Sequence, residues 1–392
     1  MGKRPSVLVV RTRKENDSYG FSRIIADNYI EGFRRLAFDV VDRELAEIAQ
    51  LDGETLRRFD LIFSHSGWVY RLMCPRPGGA VSLPAAFDKP TIMLVADPPF
   101  YTWLDQNLLS PHDKRFAYHI DPEFVAMAQR LGSSGRHQTY LPCRLETGHL
   151  TPLPTREKDI PLLVAATFRD VASLREPFAA RPPHHLRILD ELVEAATDQH
   201  DRQFIEVAQA VFTQHGLACD MALPDIKALL ICADQIVRTR RRLMMLSALR
   251  DVPMCLVTNR PPPFDLHPRS TVRISVPFDE TLGLLRRARA TAICQPNYAG
   301  ALNERIVFAM QARTVVLSTS NNLTMEHFED GHDLHYFTPD FSNARDVLQQ
   351  TMTVAHAETL RDSAQAKIEA GYSVLDNIRR FLQPIQAAGL LA

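Results

Sequence analysis

The residues best equipped for chemistry lie between Thr291 and Ser318, in the stretch TAICQPNYAGALNERIVFAMQARTVVLS. A short apolar run, Thr291 to Cys294, breaks at Gln295-Pro296-Asn297, and a small-residue turn, Ala299-Gly300-Ala301, follows. A helical pattern then opens, with Leu302, Ile306, Phe308, Ala309 and Met310 as its apolar members, and a β-branched run from Thr314 to Leu317 closes the unit. Strand, glycine turn, helix and strand predict the parallel crossover of a doubly wound sheet. The leading amides of such a helix lack intrahelical partners and sit at the positive end of the macrodipole. Gly300 lets a bulky anion come close to the backbone. Glu304, in the first turn, can accept hydrogen bonds from two adjacent hydroxyls such as those of a ribose, each worth roughly 1.5–3 kcal/mol. Phosphate on the amides beside ribose on the carboxylate describes a nucleotide diphosphate. The same residues also serve a plainer purpose, with Glu304 complementing the dipole and Gly300 making a turn. Spacing alone leaves both open.

The elements that position this turn repeat along the chain. Ser6 to Val10, Asp60 to Phe63, Pro90 to Ala96, Phe116 to His119 and Thr139 to Leu141 are short apolar runs alternating with amphipathic helices, as in a sheet buried on both faces. This predicts a Rossmann-like domain over 1–150. A Pro-rich bridge, Thr151 to Thr155, reads as a linker. A second such domain spans 156–372. It has strands at Ile160 to Ala165, Met254 to Thr258, Val272 to Val276, Thr291 to Cys294 and Thr314 to Ser318, and a helical segment over 184–250. Residues 373–392 form a final helix.

In such sheets ligands collect at the carboxyl ends of the strands. In the second domain these are Thr167-Phe168-Arg169, Asn259-Arg260, Pro277-Phe278 and the turn from Asn297 through Gly300, Ala301, Leu302, Asn303 and Glu304 to Arg305. Arg169 can neutralise a departing pyrophosphate bidentately, or it is a surface arginine. In the first domain they are Thr12 to Gly20, His65 with Ser66, and Asp97. Transfer to a hydroxyl gains from a base near the incoming oxygen, and Asp97 and His65 are the candidates. Asp97-Pro98 also serves as a strand-stopping turn, and His65 as a hydrogen-bonded core histidine.

Bulk composition narrows the class. The chain has 392 residues, 45% apolar and 23% charged, which suits a soluble two-domain protein. With 45 basic and 46 acidic residues the net charge is −1, so no global field draws in nucleic acid. The densest basic run, Arg238-Thr239-Arg240-Arg241-Arg242, reads as a solvated helix face. Six scattered cysteines read as reduced thiols of a cytoplasmic protein. No run approaches a membrane span, which leaves peripheral membrane association at most. His327, His332 and His335 with nearby acids fit no standard zinc spacing, and no Asp-x-Asp pair is present to hold a divalent ion.

The segment QPNYAGALNERIVFAM…TVVLSTSNNLTMEHFEDGHDLHYF resembles the nucleotide-sugar-binding segment of GT-B glycosyltransferases. It is most similar to the group-1-like branch often labelled spore-maturation-protein glycosyltransferases. The matching features are Pro296-Asn297, Gly300 with Glu304-Arg305, Ala309-Met310, Val315-Val316-Leu317 and Phe328-Glu329-Asp330-Gly331, over about fifty residues. The resemblance implies an α/β GT-B fold: two Rossmann-like domains facing a cleft, a helical elaboration in the second, and a C-terminal crossover helix returning to the first. It also implies metal-independent transfer of a sugar from a UDP-, GDP- or dTDP-linked donor to a glycan, small-molecule or protein acceptor, with no cofactor. Asn297, Gly300–Arg305, Thr167 and Arg169 would hold the donor, and the loop at Pro277 its base. The same fold houses sugar-nucleotide 2-epimerases and would equally suit a catalytically degenerate binding protein. One departure stands out. The family places Gly where the helix ends, and this chain has Gln311-Ala312-Arg313, whose Arg313 does not accept a positive φ without strain.

Overall fold

The computed structural model describes residues 4–12, 18–199, 201–295, 299–351 and 353–391. Pro296, Asn297 and Tyr298 therefore lie outside the described residues. The chain forms two compact units, Met1–His149 with Tyr372–Ala392, and Leu150–Gly371.

In the first unit, β1 (Ser6–Arg11), β2 (Asp39–Glu44) and β3 (Leu61–His65) precede a small antiparallel hairpin, β4 (Met73–Cys74) with β5 (Val81–Ser82). β6 (Thr91–Val95), β7 (Arg115–His119) and β8 (Arg136–Thr139) complete a parallel sheet of order β2-β1-β3-β6-β7-β8. β3, β6 and β7 are buried along their whole length, which explains their unalternating apolar sequence. Helices Phe21–Arg35 and Val374–Ala387 cover one face through Ile30, Phe33, Ile378 and Phe381, so the last helix belongs to this unit's core. Their close approach requires Gly32, where a Cβ would lie 2.6 Å from Ile378 Cδ1. Helix Thr102–Leu109 covers the other face through Leu104 and Leu108. Arg115, fully buried at the start of β7, donates to the Leu108 and Ser110 carbonyls where that helix ends, a position that favours a cation.

The second unit holds β9 (Ile160–Ala165), β10 (Cys255–Thr258), β11 (Thr271–Ile274), β12 (Ala288–Ile293), β13 (Val315–Thr319) and β14 (His335–Phe337). They form a parallel sheet of order β11-β10-β9-β12-β13-β14. Between β9 and β10 the chain inserts helices Val171–Ala179, Pro183–Asp198, Phe204–Gln214 and Pro224–Leu249. The last of these packs Met245, Leu246 and Leu249 into the core beside Leu162, Leu256 and Leu317.

Helix Glu304–Gln311, between β12 and β13, ends in a left-handed residue of the kind that usually falls to Gly. Arg313 adopts φ +54°, and its amide donates to Met310 O (3.0 Å) while Thr314 N donates to Ala309 O (2.9 Å). This is the Schellman pattern with a non-glycine residue in the left-handed position. The Arg313 guanidinium reaches Glu358 (3.1 Å), Asp362 (2.6 Å) and Gln365 (2.9 Å) on helix Val354–Gly371, offsetting the backbone cost. Arg313→Ala loses the contacts and keeps the strain, whereas Arg313→Gly loses the contacts and relieves the strain. The glycine variant is therefore expected to be the more stable by about 1 kcal/mol. Denaturant unfolding of the two variants tests this, and equal stability would discard the account.

Candidate functional site

The carboxyl edge of the second sheet gathers a group of cations. Arg305, the second residue of helix Glu304–Gln311, turns back and donates Nη1 to the carbonyl of Ala165, the last residue of β9. Arg242 on helix Pro224–Leu249 donates Nη1 to Thr167 O (2.8 Å) and Thr167 Oγ1 (3.0 Å), just beyond the same strand. Arg238, one turn earlier on that helix, pairs with buried Asp234 at 2.8 Å. Burial, then the charges of Arg305 and Arg238, pull the Arg242 guanidinium down to about 10. Arg242 and Arg305 thus crowd one another with neutral oxygens as partners, and neither has a carboxylate partner among the described residues. Two cations held by neutral groups make a site for an anion.

This overturns the expectation that Arg238–Arg242 is a solvated face. Thr239 and Arg241 are buried, Arg238 and Arg242 half-buried, and Arg240 is tied to Glu194. Helix Pro224–Leu249 is an internal element of the unit, with both flanks packed, so its arginines point inward as well as out.

Thr167 is the Arg242 partner, and Arg169 is exposed with its amide donating to Thr239 Oγ1 (3.1 Å). Phe168 and Asn259 exchange two hydrogen bonds of 2.8 and 2.9 Å, joining the exits of β9 and β10. Ala301, Leu302 and Asn303 are buried, and Gly300 is half-buried. Leu302 precedes the helix rather than belonging to it, because Asn303 is the N-cap, its side chain accepting from Arg305 N at 3.0 Å. One of the first-turn amides is therefore satisfied by the protein itself. Glu304 is half-buried, and among the described residues its carboxylate has no hydrogen bond or ion pair. Pro277 is the exposed N-cap of helix Phe278–Arg287, beyond the edge strand β11. Asn297 falls outside the described residues.

A buried amide network, missed in the sequence, fixes the turn. Gln295 takes Thr319 Oγ1 on its backbone amide (2.9 Å) and donates its side chain to Thr319 O (3.0 Å) and Thr324 Oγ1 (3.2 Å). Asn321 donates to Ala301 O (2.6 Å) and Gln295 Oε1 (3.3 Å) while capping helix Asn322–His327. The loops leaving β12 and β13 are thereby locked together. The legible part of this signal was Asn321 three residues before Thr324, a capping pair.

His65 and Asp97 lie in the first unit, at the carboxyl edges of the adjacent strands β3 and β6. His65 is buried, with Nδ1 3.2 Å from Ser66 Oγ. Ser66 holds a left-handed φ of +58°, its amide donating to Leu94 O (2.7 Å) and its carbonyl accepting from Asn107 (2.7 Å). Asp97 is half-buried two residues past the end of β6.

His335 contacts Asp330 through Nδ1 (3.2 Å) and His356 through Nε2 (2.8 Å), while Asp333 bonds Ser363 and Lys367. Among the described residues no three His, Cys, Asp or Glu side chains are grouped to hold a metal ion. No described helix is long and apolar enough to cross a membrane.

No protein-family model matches the chain, and no curated protein sequence matches it. Solved structures do. Sucrose-phosphate synthase from Thermosynechococcus elongatus is similar at 12% identity and TM-score 0.56, covering 98% of this chain and 100% of that one. AviGT4, a glycosyltransferase involved in avilamycin A biosynthesis, gives 13% identity and TM-score 0.51 over 97% and 96% of the two chains. T4 phage BGT, solved with its UDP-glucose substrate, gives 10% identity and TM-score 0.51 over 96% and 99%. Two parallel six-stranded sheets, a helical insertion in the second unit and a final helix in the first define the GT-B fold. The chain has that fold.

Proposed function

We propose that this protein is a glycosyltransferase whose second unit binds a nucleotide-diphosphate sugar, and that it belongs to the spore-maturation-type, group-1-like branch. The observation that carries the reading is the Arg242–Arg305 pair at the exit of β9, beside the helix start at Glu304. Two guanidiniums with no carboxylate hydrogen-bonded to either among the described residues suit a diphosphate, and the Glu304 carboxylate, unengaged among those residues, suits a diol. Arg169, exposed at the same strand exit, supplies further positive charge as the leaving diphosphate develops. Thr167 fixes Arg242, and the buried run Ala301-Leu302-Asn303 presents Glu304 and Arg305. The loop at Pro277 receives the base. UDP is the nucleotide we favour, since T4 phage BGT was solved with UDP-glucose. Asp97 and His65 act on the incoming nucleophile of a glycan, small-molecule or protein acceptor, and the reaction uses no metal. The protein works in the cytoplasm.

The test is to incubate the purified chain with UDP-, GDP- and dTDP-linked sugars and to follow free nucleotide by chromatography and binding by calorimetry. Slow nucleotide release that falls roughly 10- to 150-fold in Glu304→Ala is the expected result, one charge-assisted interaction with a ribose being worth about 1.5–3 kcal/mol. Binding without release would indicate a degenerate binding protein, and a new sugar epimer an isomerase. Failure to bind any of the nucleotides would end the proposal.

A further inference from the structure

A pocket of about 410 Å³ lies in the first unit between the ends of β7 and β8 and helix Val374–Ala387. That volume is in the range of small-ligand sites. Its floor is aromatic: the Tyr118 and Phe381 rings lie 4.2 Å apart, and Tyr118 OH donates to Phe381 O at 3.0 Å. Both rings are almost fully buried, whereas Tyr140, set edge-on to Phe381 at 6.3 Å, is half-buried and forms the wall. The rim carries the exposed side chains of Gln138, Gln383 and Arg380. Pro384 also lines the pocket from within the helix. Having no N–H, it cannot donate to the Arg380 carbonyl one turn back. Among the described residues no carboxylate lines this pocket.

We infer that this pocket binds one or two pyranose units of a glycan. A sugar ring presents an apolar C–H face and a girdle of hydroxyls, each both donor and acceptor. One half-exposed aromatic face answers the first, and two primary amides and a guanidinium answer the second. A nucleoside base would seek a ring exposed for full stacking, and the two floor rings are covered. The ligand class rests on the pocket's own chemistry. Only a role as the seat of the acceptor rests on the transferase reading above.

Saturation-transfer NMR on the full-length protein with maltohexaose, cellohexaose and chitohexaose tests this, with uridine as the control ligand and UDP calorimetry run in parallel. At least one of the three glycans is expected to bind. Tyr140→Ala should weaken that binding about tenfold, as loss of one aromatic contact would. Gln138→Ala should weaken it by a smaller factor, and Tyr140→Phe should preserve it. UDP affinity should be the same in all three variants. A protein that binds UDP but none of the glycans would overturn the inference while leaving the donor reading intact. So would glycan binding that is indifferent to both Tyr140→Ala and Gln138→Ala, or a pocket that takes uridine in place of the sugars. Glycan binding without UDP binding would support the inference and overturn the donor reading.

Discussion

Arg242→Ala is expected to weaken UDP binding by roughly 30- to 150-fold while leaving the unliganded protein at least as stable as the wild type. The first half follows from removing a charged donor from a half-buried anion site, a loss of about 2–3 kcal/mol. The second half follows from burial of Arg242 and then from the charges of Arg305 and Arg238, which outweigh the pull of Asp234 and hold its guanidinium down at about 10. With no anion bound, deleting one of these like charges relieves repulsion, and among the described residues the hydrogen bonds given up are those to Thr167 O and Oγ1. A structural arginine behaves in the opposite way, since its removal costs stability and leaves ligand affinity unaffected. Calorimetry with UDP and a melting curve without it separate the two. Arg242→Lys keeps the charge but not the fork and should recover part of the affinity. If the alanine variant binds UDP as well as the wild type does, the anion site is not where we place it.

How far the sequence carried this site can be judged residue by residue. The crossover around Gly300 was legible because each piece is local: two β-branched runs, a small-residue turn and one apolar helix stripe. The helix boundary moved past Leu302 because an apolar residue fits the stripe whether or not its backbone is helical. Asn303, the capping residue beside it, carried the correct signal. Arg242 was hidden for a different reason. Five consecutive residues rich in arginine look solvated in any window, and which of them faces inward is decided by the packing of the long helix Pro224–Leu249. A trace was present all the same. Asp234, Arg238 and Arg242 fall at i, i+4 and i+8, one stripe of the helix, and an acid at the head of a basic stripe marks a paired, inward face. Of the Gln295–Asn321 lock only the Asn321 cap was legible, since the rest joins loops that only the β12–β13 pairing brings together.

The fold should also become more stable from about pH 7 to about pH 9, through one lysine. Lys158 stands just before β9 and is 1% exposed. Its Nζ donates to Arg286 O (2.7 Å) and Ala312 O (3.0 Å), at the ends of the two helices flanking β12, and lies 3.3 Å from Thr314 Oγ1. Burial, then the charges of Arg361, Arg313 and Arg286, bring the ammonium down to about 7. An unfolded lysine titrates near 10.4. Between the two values the unfolded chain binds a proton that the folded chain has released, so raising the pH favours the fold, by up to about 1.4 kcal/mol per pH unit. Below about pH 7 both states are protonated and the effect is flat. Over about pH 7 to 9 the gain is about 2 kcal/mol. Lys158→Met should lose that gain. It leaves two helix-end carbonyls without a donor at every pH, a constant cost that shifts the whole curve without tilting it. Cysteines that titrate on unfolding contribute equally to both proteins, so the difference between wild type and variant isolates the lysine. Denaturant unfolding at the two pH values gives that difference. Parallel curves would mean that Lys158 keeps its proton in the folded unit, bound more tightly by the helix-end carbonyls than it is repelled by its arginine neighbours.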